Sequence, residues 1–75
     1  MEKARYTVVL EWDPEEELYI ATILALSVGS YGETRQEAMA KIEEAAIVTI
    51  KGLKATGQTT PMDDRDTVGF VDVAV

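Results

Sequence analysis

Gly32-Glu33-Thr34-Arg35-Gln36-Glu37-Ala38 divides the chain into two unlike halves. Thr34 suits an N-cap, since its hydroxyl can accept the backbone N–H of Glu37, and the Glu37 carboxylate can reach back to the N–H of Thr34. Such a capping box opens a helix. Behind it Ala38, Ile42, Ala45, Thr49 and Leu53 recur at helical spacing, and Met39, Ala46 and Ile50 widen the apolar stripe. Glu43 and Glu44 fall on the polar side. Lys51 and Lys54 sit near the end, where cations complement the helix dipole. Gly57 is a natural stop. The spacing predicts one helix of about 20 residues, roughly 30 Å long at the usual rise.

Everything upstream reads as sheet. Tyr6, Val8, Leu10 and Trp12 alternate with Thr7, Val9 and Glu11, the period-two pattern of a half-buried strand over Tyr6–Trp12. Asp13-Pro14 and the run Glu15-Glu16-Glu17 break that pattern as a turn and read as a solvated hairpin tip. Leu18–Leu26 is expected as a second strand, antiparallel to the first across this short loop. Between Ser27 and Gly32, Gly29 and Gly32 bracket a short third strand with a bend on each side. Downstream of the helix, Gln58–Asp66 reads as a polar loop and Thr67–Val75 as a last strand, apolar on both faces apart from Asp72. The expected fold class is α+β. It is a two-layer domain with a mainly antiparallel sheet, one long helix packed on one face, and the order β-β-β-α-β.

The chain has 75 residues, enough for a single domain spanning 1–75 with a thin core. It has no cysteine and no histidine. Ser–His and Cys–His nucleophile pairs are therefore excluded, and so are the usual zinc and copper ligand sets. The missing cysteines agree with a reducing cytoplasm. No stretch reads as a membrane span or a signal peptide. No phosphate-cradling glycine loop is present. Asp63, Asp64 and Asp66 lack the spacing of a calcium loop and read as a solvated acidic loop. No catalytic residue, cofactor or metal site is expected.

The net charge is −7, from seven Lys and Arg against fourteen Asp and Glu. Nucleic-acid binding needs a basic face and is not expected. Acidity favours a basic partner through electrostatic steering, and it equally serves solubility. Surplus apolar surface on the last strand points to a dimer or a protein partner, or else to a strand at the sheet centre. Trp12, at a strand end, is either an exposed partner anchor or a lid over the helix end.

Two stretches carry a resemblance to a known family. Tyr6-Thr7-Val8-Val9-Leu10-Glu11, an acidic turn and Tyr19-Ile20-Ala21-Thr22 resemble the opening hairpin of the HicB antitoxins. Gly32-Glu33-Thr34-Arg35-Gln36-Glu37-Ala38, followed by Glu44-Ala45, resembles that family's helix-opening motif. The likeness covers residues 5 to 57 and, loosely, the last strand. Where the family carries a Leu-Pro-Gly-Cys turn this chain has Leu26-Ser27-Val28-Gly29, and Leu24 stands where a proline is often found. The resemblance implies a HicB-like, partial ribonuclease-H-like domain that masks a small basic RNA-cleaving toxin of the HicA type. Many members add a C-terminal DNA-binding module; this chain is expected to lack one.

Three readings follow. The first is an antitoxin-like protein-binding domain in the cytoplasm, itself a homodimer or higher homo-oligomer. The second is a solitary homodimeric regulatory or structural domain, or a remnant without a toxin. The third is a small-molecule or cation-binding domain. The candidate partner-interface residues are Val9, Trp12, Val71 and Val73. Val73→Asp is expected to leave the helix intact and to break a dimer that buries this face. Circular dichroism and size-exclusion chromatography check both parts, and an unchanged oligomeric state refutes the placement.

Overall fold

The computed structural model describes residues 4–63, 72 and 74. Three strands and one long helix form a small α+β fold: β1 Val9–Asp13, β2 Leu18–Ile23, β3 Val28–Gly32 and α1 Arg35–Ala55. The sheet is antiparallel throughout, in the order β1-β2-β3. Of the expected last strand, Thr67–Val75, only Asp72 and Ala74 are described; both are exposed and outside any strand. Val71, Val73 and the rest of that stretch lie outside the described residues.

Two strand boundaries differ from the sequence reading, for one shared reason. The second strand stops at Ile23, because Leu24–Leu26 forms a 3₁₀ turn that Ser27 closes in the left-handed region at φ 55°. Leu24-Ala25-Leu26 is apolar enough to pass for strand, yet the chain needs a reversal here to reach β3. The register pairs Val9 with Thr22. Residues 6–8 would continue that ladder opposite 23–25, where β2 ends and turns away. β1 therefore begins at Val9 instead of Tyr6, although Tyr6 and Val8 still pack against the core.

The hairpin turn is held by Asp13, whose Oδ1 accepts the N–H groups of Glu15 at 3.0 Å and Glu16 at 3.3 Å. This Asx geometry is why Asp-Pro initiates a turn. Glu17 then adopts φ 55° to rejoin β2.

The helix is capped at both ends. Thr34 Oγ1 accepts the N–H of Glu37 at 3.0 Å. Glu37 does not complete the reciprocal half expected of it; its carboxylate pairs with Lys41 Nζ at 3.2 Å, one turn on. At the far end Gly57 takes φ 75°, its N–H donates to Lys54 O, and the N–H of Gln58 donates to Leu53 O at 2.9 Å. These two bonds make a Schellman motif, which satisfies carbonyls the helix leaves unpaired.

The core lies between the helix and one face of the sheet. Ala21, Ile23, Leu26, Ala38, Ile42 and Ala46 are its buried residues. Ala46, expected at the margin of the stripe, lies at its centre, whereas Ala45 and Leu53 are half-buried. The buried row Ala38-Ile42-Ala46 advances four residues at a time along one ridge of the helix. Its alanines, facing Ala21, allow close packing. The tightest approach is at Gly32. A Cβ there would stand 2.6 Å from the backbone nitrogen of Ala38 and 2.9 Å from Glu37 Cβ. Glycine is needed at this point for space.

Two substitutions test these local demands. Gly32→Ala must push α1 away from β3 and is expected to cost about 2 kcal/mol or more, as other overpacked sites do. A fall in the urea midpoint measures it; an unchanged midpoint means the helix shifts freely. Glu17→Gly removes a left-handed penalty of about 1–2 kcal/mol at the cost of about 0.5–1 kcal/mol of added chain entropy. A net gain of about 0.5 kcal/mol is expected, visible as a small rise in Tm.

Candidate partner-binding surfaces

Strand parity sorts the candidate residues onto two faces. Residues paired across strands share a face, and successive residues alternate. Ala21 and Ile23 are buried under the helix, so their cross-strand partners Leu10, Ser30 and Val28 face the same way. Val9, Thr22 and Gly29 form a row on the opposite face, and Glu11, Ile20 and Tyr31 form the next. Val9 and Ile20 are each 37% exposed, and Tyr31 at the β3 edge is 60% exposed. No described helix covers this outer face. Lys41 Nζ reaches the rim, 5.4 Å from the Tyr31 ring centroid, but is shared with Glu37.

Trp12 belongs to the helix-side face. Its ring lies 4.9 Å from that of Tyr19, its partner in the ladder, at an interplanar angle of 58°. Arg35, the first residue of α1, holds its guanidinium 5.4 Å from the Tyr19 ring centroid. Trp12 thus stacks beside Tyr19, the ring that Arg35 covers, while remaining 50% exposed. Val9 and Trp12, expected to share an interface, lie on opposite faces of β1. A single flat partner cannot touch both. Val71 and Val73, which would complete the expected set, fall outside the described residues.

Charge follows the layers. Between Tyr6 and Thr34 there are six carboxylates (Glu11, Asp13, Glu15, Glu16, Glu17 and Glu33) and no lysine or arginine. The described cations are Arg5, just before the sheet, and Arg35, Lys41, Lys51 and Lys54, all on α1. The sheet layer therefore carries nearly all of the excess negative charge. Glu11 lies in the same row as Ile20, and Asp13 pairs with Leu18 in the row beyond.

A second apolar surface runs along the other side of the helix. Tyr6, Val8, Met39, Ile47, Ile50 and Met62 line a groove of about 910 Å³ among the described residues. Its mouth is tied by the segment after the helix. Tyr6 Oη donates to Pro61 O at 2.6 Å, and the Thr7 N–H donates to Asp63 Oδ2. Asp63, read from sequence as part of a solvated acidic loop, is thus engaged in holding two chain segments together. Asp64 and Asp66 lie outside the described residues. Among the described residues no group of carboxylates is arranged to hold a metal ion, and no polar or charged side chain is buried.

Sequence reasoning singled out Val9 but not Ile20 or Tyr31, its companions on the open face. The signal was available in the alternation of β2, where Tyr19, Ala21 and Ile23 face the helix and Leu18, Ile20 and Thr22 face away.

Among the described residues no helix is long and apolar enough to cross a membrane. No family model matches the chain, and no curated protein or solved structure matches it.

Proposed function

We propose that this chain is a non-catalytic, antitoxin-like binding domain that masks a small basic RNA-cleaving protein of the HicA type. The observation that carries this reading is the acidic sheet layer, six carboxylates with no cation between Tyr6 and Thr34. A surface of one sign attracts and orients an oppositely charged partner and suppresses like-charged ones. The order of three antiparallel strands and a capped helix agrees with the β-β-β-α opening that the resemblance to HicB implies. A fourth strand from Thr67–Val75 and the partial ribonuclease-H-like arrangement belong to the same proposal.

The chemistry available points away from catalysis. With neither histidine nor cysteine, a general base near neutral pH would have to be a carboxylate, lysine or tyrosine shifted by burial in a cleft. Among the described residues every carboxylate remains accessible to solvent. The partner, in this reading, brings the reactive groups and this chain covers them. The groove beside α1 favours a second, compatible role, self-association, because Met39, Ile47 and Met62 are apolar and exposed there.

The test is capture of the full chain's partners from its own source, followed by mass spectrometry and an RNA-cleavage assay. A small basic histidine-containing protein is expected in stoichiometric amount, with its nuclease activity suppressed in the complex and the association rate falling as salt rises. Recovery of only the chain itself overturns the antitoxin reading in favour of a solitary homodimer.

A further inference from the structure

We infer that the open face of the sheet, centred on Val9 and Ile20 and bordered by Glu11, Asp13 and the Glu15–Glu17 turn, docks a cationic protein surface with an apolar centre. The inference rests on the reading that the chain binds a basic protein, and it assigns that binding to one face.

Three observations select this face. The first is its composition. Val9 and Ile20 occupy adjacent strands in neighbouring rows, with Thr22 and Leu18 on either side of Ile20 along β2 and Tyr31 at the rim. Apolar side chains here face away from the helix and are partly exposed.

The second observation is size. Three strands of five or six residues present roughly 250 Å² of sheet, taking about 4.8 Å between strands and 3.3 Å per residue. A stable interface buries about 800 Å² on each partner. Apolar contact at Val9 and Ile20 is therefore too small to hold a partner alone, and the acidic border must extend the contact.

The third is sign. A second copy placed on this face would double the acidic groups in the interface, adding its own Glu11, Asp13 and three turn glutamates, against Lys41 at the Tyr31 rim, which is already shared with Glu37. Like charges brought together cost energy and slow encounter. A cationic partner gains from the same groups. Charge thus decides between the two occupants. The groove beside α1, walled by helix residues of both signs (Glu43 and Lys54), offers no such preference.

The experiment titrates the full-length ¹⁵N-labelled chain with a synthetic ten-residue peptide of alternating lysine and leucine. Amide shifts are expected at Val9, Glu11, Ile20 and Tyr31, with little change at Met39, Ile47 and Ile50. Ile20→Asp supplies the decisive contrast. Charge alone would make this variant bind the cationic peptide more tightly; an apolar centre makes it bind at least tenfold more weakly. Ile20→Thr, which keeps a strand-favouring side chain, is expected to weaken binding severalfold and guards against misfolding of the aspartate variant. Glu11→Gln with Asp13→Asn should also weaken binding and flatten its salt dependence, whereas Val48→Ser, at an exposed helix position outside both the sheet face and the groove, should leave both unchanged.

Shifts confined to α1 and the groove would overturn the placement while leaving a basic partner in force. Tighter binding by Ile20→Asp, or no shifts at low salt, would overturn the docking surface itself. Concentration-dependent shifts of the same residues without peptide would assign the face to a second copy. The broader antitoxin reading fails separately, if no basic protein is captured from the source.

Discussion

The contact of Gly32 with the first turn of α1 sets the geometry from which the rest follows. The end of β3 and the start of the helix are separated by only Glu33 and Thr34. The chain must therefore turn from sheet to helix almost in place, and the backbone of Ala38 comes within the space a side chain at position 32 would need. That closeness brings Ala38, Ile42 and Ala46 down onto Ala21 and Ile23. It also limits the size of what can be buried: of the described side chains, Ile42 is the one large group that is fully enclosed. A core built from alanines on a short chain has little apolar area in reserve, so the fold depends on backbone devices. The threonine cap, the Asp13 turn and the Schellman ending each satisfy polar groups that would otherwise weaken the ends of elements.

The separation of charge between layers is a consequence of this arrangement. With the helix on one face of the sheet, the strands' other face receives no described cover. Residues at alternate positions on β1 and β2 then define a surface whose chemistry is independent of the core. Val9 and Ile20 make it apolar, and Glu11 and Asp13 make it acidic. The cations described on α1 contribute to the helix side and its edges. Net charge alone cannot distinguish this layout from an evenly acidic protein; the topology is what gives the charge a direction.

Much of the fold was legible because its local signals are strong. Thr34, Glu37 and Gly57 mark the helix, and Asp13-Pro14 marks the hairpin, through backbone preferences that require no distant partner. The limits of β1 and β2 were less legible because strands end where their neighbours do. Leu24-Ala25-Leu26 has the apolarity of a strand, and only the need to reverse toward β3 makes it a turn. Val9 could be assigned to a face by parity, but its grouping with Trp12 ignored that same parity. The open face as a unit, with Ile20 and Tyr31, required the register of three strands. The cation-free run from Tyr6 to Thr34 is visible in the bare sequence, yet it acquires meaning only when those residues are known to form one layer.

The pairing of Tyr6 with Pro61 and of Thr7 with Asp63 differs in its span from the other described hydrogen bonds. Among the described elements, those most closely packed are neighbours in the chain or one strand apart: β1 with β2, β2 with β3, and α1 with β3 and β2. Such local wiring favours rapid folding, because little loop entropy is lost before each contact forms. The Tyr6 and Thr7 bonds bridge separations of 55 and 56 residues. They close the longest loop among the described hydrogen bonds, and the cost of closing it is smallest once the hairpin, third strand and helix are in place. The segment after the helix is thus suited to dock late, on a scaffold assembled from its own nearest neighbours.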